Sequence, residues 1–228
     1  LGDVYKRQLY AAIGILIALM GVKQNGVGQY VDTSMLDGAV SWLPVLANDY
    51  FVKGVSPKAA ENILNGQNAC YEVYETADGR YISIGAIEPH LWANFCDAIG
   101  KEEFKLWQRD LTKQDEMFAC LREMFKSKTQ AEWIEKLTGV DCCWAPVKNL
   151  EEVFADPQVL ARDMVYEMTD PAGCYGSVKM IGSAVKLSET PARKELFPPR
   201  KGEHNAEYLK AVGYSDEQIA EFEKNGII

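Results

Sequence analysis

Histidine is nearly missing from this 228-residue chain, with His90 and His204 its only two. The six cysteines (Cys70, Cys96, Cys120, Cys142, Cys143, Cys174) show no CxxC spacing, so a Cys/His zinc cluster is excluded. They read as reduced thiols of a cytoplasmic protein, with Cys142 and Cys143 inside a buried strand. Basic excess is missing too. Twenty-four Lys and Arg against 33 Asp and Glu leave a formal charge of −9, which argues against general attraction to nucleic acid or to an anionic membrane. No apolar run reaches the ~20 residues of a membrane span. The longest, residues 9–22, lacks a cleavage-site pattern and predicts a helix covered on all sides by other elements. Internal repeats, low-complexity tracts and an initiator methionine are likewise missing.

What is present is ordinary for a globular protein: 47% hydrophobic and 25% charged residues allow a substantial core, in one large domain or two small ones. The opening is unusual. DVYKRQ, residues 3–8, resembles one reading frame of a transposon end used to prepare sequencing libraries. Residues 1–8 are therefore read as a sequencing scar, and the remainder as the C-terminal piece of a longer protein.

The most informative stretch is YEVYETADGRYISIGAIEPHLWANFCDAIG, residues 71–100. Apolar residues alternate through Ala69, Tyr71 and Val73 and again through Ile82, Ile84 and Ala86, and Asp78-Gly79 lies between the runs. That predicts a hairpin, because glycine takes φ > 0 without penalty. Pro89 then opens a helix with Leu91, Trp92, Phe95, Ala98 and Ile99 on one face, closed by Gly100. Glu88 stands where the strand hands over to the helix.

Elsewhere, residues 23–29 predict a turn, since Gly26-x-Gly28 lacks the third glycine of a phosphate loop, and residues 29–32 a short strand. Ser34-x-x-Asp37 caps a helix over 35–50, kinked at Pro44. A Gly/Pro loop over 53–58 separates this from an α+β module over 67–148, with helices over 114–125 and from the Thr129-x-x-Glu132 capping box to Leu137, and a strand over 140–147. Beyond it, Asn149-x-x-Glu152 and Asp156-Pro157 start short helices. Strands are expected over 164–168, 178–180 and 184–187, a Pro/basic connection over 191–202, and final helices near 206–212 and after Ser215-x-x-Gln218.

Four stretches occur together and in order: GILIALMGVKQNGVGQYVDTSMLDGA (14–39), YETADGRYISIGAIEPHLW (74–92), WAPVKNLEEVFADPQVLARDM (144–164) and GEHNAEYLKAVGYSDEQI (202–219). The set resembles the family III CoA-transferases of CaiB/BaiF type, which include the α-methylacyl-CoA racemases. The resemblance implies an α/β fold: the end of a Rossmann-like large domain (9–55), a linker and glycine loop (56–66), a small α+β domain (67–148) and a C-terminal segment returning to the large domain (149–228). It implies interlocked homodimers, acyl-CoA and a carboxylic acid as substrates, coenzyme A as substrate with no tightly bound cofactor or metal, and most of the Rossmann-like half missing.

The family's reaction passes through an enzyme aspartate shortly before the apolar helix. Asp3 falls close to that register but belongs to the scar. Asn65-Gly66-Gln67 matches the family's glycine loop, with one glycine where transferases often carry several. Glu88, in GAIEP, matches a glutamate that in the racemase branch supports an upstream histidine, which this chain lacks. His90 is expected to face solvent and His204 to be structural. The expectation is therefore a CoA-transferase fragment acting through an aspartyl intermediate and inactive alone. The alternatives are a racemase fragment and a non-catalytic interaction module.

Overall fold

Period-two alternation organises the centre of the chain. β1 (Tyr71–Glu75) and β2 (Tyr81–Gly85) pair antiparallel, with Tyr71 opposite Gly85 and Val73 opposite Ser83, and β3 (Trp144–Pro146) joins β2 with Ala145 opposite Ser83. Tyr74, Ile82 and Ile84 are buried on one face, while Tyr71, Val73, Ser83 and Gly85 alternate onto the other. The computed structural model describes residues 2–171, 173–192 and 197–228, apart from the Asp3 side chain, and divides into two units, residues 1–147 and 148–228.

Helices cover the inner face. α4 (Pro89–Ile99) has proline in its first turn and Gly100 at φ 71° after its last, and it buries Trp92, Phe95, Cys96 and Ile99. A 3-10 helix (Glu102–Trp107) follows, and the Trp92 indole donates to the Phe104 carbonyl at 2.7 Å. α5 (Gln114–Lys126) and α6 (Gln130–Leu137) add Met117, Leu121, Phe125, Trp133 and Leu137 to the same core. Phe125 is its hub, with ring centroids 4.8 Å from Tyr74 and 4.6 Å from Trp133. Such aromatic pairs contribute about 0.5–1.5 kcal/mol beyond their buried area. Burial pushes the Cys96 thiol up to about 12 and the Cys142 thiol to about 11, so these behave as small apolar side chains.

The first helices depart from expectation. α1 (Gly2–Asn25) runs through residues 2–8 without a break. It is not covered on all sides: Ile13, Ile15, Leu16, Ile17, Leu19 and Met20 are exposed, and Ala18 is its buried apolar residue. Its neighbours are small in extent: the Tyr10 hydroxyl accepts from Ser41 Oγ at 2.8 Å, and a Cβ on Gly14 would sit 3.0 Å from Val31. Residues 29–32 form no strand. The expected kinked helix is two helices, α2 (Met35–Val40), capped by Ser34, and α3 (Pro44–Lys53). Pro44 has no N–H to continue α2 and disfavours helical geometry at Leu43, so it starts a new helix.

Cys142 and Cys143 also correct the reading. Neither lies in a strand; Cys142 is buried, whereas Cys143 is exposed at φ 50°, so pairing begins only at Trp144. In the second unit, Asn149 and Asp156 cap α7 (Leu150–Ala155) and α8 (Pro157–Ala161). β4 (Val165–Thr169) pairs with β5 (Ser177–Ile181), and α9 (Asn205–Ala211) and α10 (Asp216–Lys224) close the chain. Residues 184–187 form no strand. Of the expected Pro171-Ala172-Gly173 turn, Ala172 lies outside the described residues, and so do residues 193–196 of the connection.

Candidate functional site

The loop before β1 bonds to itself. Asn65 Oδ1 accepts from the Asn62 N–H at 3.0 Å, Asn62 Oδ1 accepts from Leu64, and Gln67 Nε2 donates to the Glu61 carbonyl at 3.0 Å. Asn65 and Gln67 thus spend their side chains on holding the loop. Gly66, at φ 98°, sits in a region that favours glycine, and its N–H meets no acceptor among the described residues. A Cβ there would lie 3.5 Å from Glu72 Oε2.

Asn65 and Gly66 line a cavity of about 530 Å³ over the outer face of the sheet, together with Tyr71, Val73, Gly85 and Cys143 among others. Gly85 leaves little room for a side chain there. A Cβ on it would come within 3.3 Å of the Cys143 sulfur, which leans over the strand end, and the Gly85 N–H donates to the Cys143 carbonyl at 2.8 Å. Gln67 and Glu88 do not line this cavity.

Glu88 holds the N-cap position of α4 in extended geometry (φ −71°, ψ 136°), and its side chain makes no capping hydrogen bond. It is exposed, as is His90 on the first turn. A buried amide network holds the segment that leads to Glu88. Gln108 Nε2 donates to the carbonyls of Ala86 and Ile87 at 3.0 and 2.9 Å, and Arg109 donates to Ile87 at 3.1 Å. The Gln108 carbonyl accepts from Asn68 Nδ2 at 3.2 Å, and Gln114 Oε1 accepts from the Ala69 N–H at 2.9 Å. The stem of the Asn65–Gln67 loop and the segment leading to Glu88 are therefore tied to one another, with Asn68, Gln108 and Gln114 all buried. Sequence reasoning missed this network, as it missed Gly85 and Cys143 as cavity-lining residues.

The remaining expected residues lie apart. Asp3 is in α1, and its side chain falls outside what is described. His204 Nδ1 lies 3.5 Å from Glu207 on α9, in the second unit. Among the described residues no group of His, Cys, Asp and Glu is arranged to hold a metal ion, and no helix is long and apolar enough to cross a membrane.

Comparison with known proteins places the chain. The model of CoA-transferase family III matches residues 1–205. An acyl-CoA transferase of Fusarium pseudograminearum is 33% identical over 220 residues, 94% of this chain and 48% of the relative. The mouse alpha-methylacyl-CoA racemase is 31% identical, over 96% of this chain and 57% of the relative. A CAIB/BAIF family protein from Brucella suis superposes with a TM-score of 0.69 at 25% identity, covering 90% of this chain and 54% of that structure. The chain thus spans about half the length of the relatives it matches, and its mixed α/β architecture is theirs. It belongs to CoA-transferase family III, a family of acyl-CoA enzymes.

Proposed function

We propose that this chain is the part of an acyl-CoA:carboxylate CoA-transferase that carries the glycine loop and the small α+β domain. Family membership, together with Gly66 lining the sheet cavity with an N–H that meets no acceptor among the described residues, supports the reading. In the proposed reaction a carboxylate of the enzyme attacks the thioester carbonyl, expelling CoA thiolate and forming a mixed anhydride. The thiolate then attacks the enzyme-side carbonyl, releases the first acid and leaves an enzyme thioester. An acceptor carboxylate attacks that thioester and regains CoA by the same two steps in reverse. Each addition places negative charge on an oxygen, and a backbone N–H that needs no reorganisation is suited to receive it; one such donor typically contributes about 2.7–4 kcal/mol.

The attacking carboxylate is an aspartate in this proposal; Asp3 stands nearest the expected register but falls within residues 1–8, read as a scar, so the aspartate is assigned to the part of the enzyme beyond this chain. Acyl-CoA and a carboxylic acid are the partners, coenzyme A is a substrate, and a homodimer is the proposed assembly. Completed to the length of its relatives, the protein is expected to move CoA from a donor acyl-CoA to a free acid, followed by chromatography of the acyl-CoAs. Retention of CoA on the original acyl group, with exchange of its α-proton for solvent deuterium, would instead establish racemisation. The GAIEP setting of Glu88, which resembles that of the racemase branch, supports that second reading, and its side chain is exposed and makes no capping bond.

A further inference from the structure

The cavity over the outer sheet face has an unusual wall. Leu64, Tyr71, Val73 and Ala145 supply its apolar side chains, Ile84 and Trp144 being turned to the core side of the sheet, and among the described residues neither Lys nor Arg lines it. Its charged side chain is Glu72, whose Oε1 accepts from the Val73 N–H at 2.8 Å and whose Oε2 faces Gly66. A volume of about 530 Å³ lies within the range of about 300–1,000 Å³ typical of small-molecule sites.

We infer that this cavity takes an apolar acyl chain and rejects acyl groups that end in a second carboxylate. The inference rests on the CoA-transfer reading above and names its substrate class. A methylene chain gains by leaving water against Leu64, Val73 and Ala145. A distal carboxylate placed in the same space loses its hydration, finds no cation, and is repelled by Glu72.

Cys143 lines the cavity and is exposed, which makes it a local reporter. Cys174 is also exposed but does not line it, and serves as the internal control. The full chain is alkylated with iodoacetamide in the presence of octanoate or of octanedioate, acids of equal carbon count, and each cysteine is followed by peptide mass spectrometry. Octanoate is expected to slow Cys143 by at least about fivefold at saturation without slowing Cys174, as burial of the chain at this wall requires. From butanoate to octanoate the half-protecting concentration should fall about fourfold per added methylene. Octanedioate should protect neither thiol. Val73→Arg, at an exposed strand position, should reverse the order of the two acids. Equal protection by octanedioate, parallel slowing of Cys174, no protection by octanoate, or an unchanged order in Val73→Arg would each overturn the inference. CoA transfer is read separately from movement of CoA between acids, so these outcomes remove the substrate class without touching the reaction type.

Discussion

Gln108 holds Ile87: its side-chain Nε2 lies 2.9 Å from the Ile87 carbonyl oxygen and 3.0 Å from that of Ala86, in a site where Gln108 is only 6% exposed. One amide therefore fixes two consecutive carbonyls at the handover from β2 to α4, one residue before Glu88. Gln108→Met keeps the volume and removes both bonds. A buried polar group left without its partner costs about 1–3 kcal/mol, so the variant should unfold at lower denaturant by that amount. The main-chain carbonyl of Gln108, which receives Asn68 Nδ2, survives the substitution but loses the side-chain anchor that positions it, so amide exchange should rise at Asn68 and Ala69 as well as at Ile87. Faster exchange confined to residues 86–88 would show that the loop stem and the Glu88 segment are independent.

Gly66→Ala tests the loop. The added methyl would meet Glu72 Oε2 at 3.5 Å and Ala60 Cβ at 3.6 Å, ordinary contacts, so space is not the obstacle. The backbone is: φ of 98° is unfavourable for any residue with a Cβ, at a cost of about 1–2 kcal/mol. Thermal unfolding is expected to shift accordingly, and an unchanged midpoint would mean that the loop relaxes to negative φ.

Glu88→Gln separates structure from chemistry. A carboxylate at a helix N-terminus contributes about 0.3–1 kcal/mol, so the folded chain should lose no more than that. In the protein completed to the length of its relatives, turnover should fall at least about tenfold, equivalent to about 1.4 kcal/mol of barrier. Unaltered turnover would leave Glu88 as a surface residue.

The parts of the fold that the sequence makes legible are those set by local rules. Thr129, Asn149 and Ser215 each form the capping box that their x-x-Glu or x-x-Gln spacing predicts, and Gly100 ends α4 in left-handed geometry. The hairpin is legible because Tyr74, Ile82 and Ile84 must share a face. Features decided by distant partners are not legible. Cys143 adopts φ 50° next to Gly85, 58 positions earlier in a count from 85 to 143, and no local pattern announces it. Asn68 and Gln108 are isolated amides in sequence, and their bond spans 40 positions. The apolar side chains of α1 have the composition of a buried helix, yet composition does not specify which surface covers them, and within this chain Leu16 and Met20 stay exposed.

Asp78 links the hairpin turn to α6. Its carboxylate accepts from the Thr76 hydroxyl at 2.5 Å and from the Gln130 N–H at 3.2 Å, and these bonds, Thr76 first, hold its pKa below the ordinary 3.8. Glu132 is lowered in the same region by the N–H and hydroxyl of Thr129. For both groups the folded value lies below the unfolded one, so between the two values the unfolded chain binds protons that the folded chain does not. Stability must therefore rise with pH across that interval, be fully present above the ordinary carboxylate range, and be lost as pH falls through the folded values. Asp78→Asn retains an acceptor oxygen for Gln130 but removes the charge that strengthens the bond and the proton that titrates. The variant is expected to be less stable than the parent at pH 7 and to approach it as the pH is lowered below about 4, the ordinary carboxylate range. Denaturant midpoints measured from neutral to acid pH give the two curves. Curves that stay parallel down to the acid limit would show that the Asp78 charge takes no part in joining the hairpin to the helix.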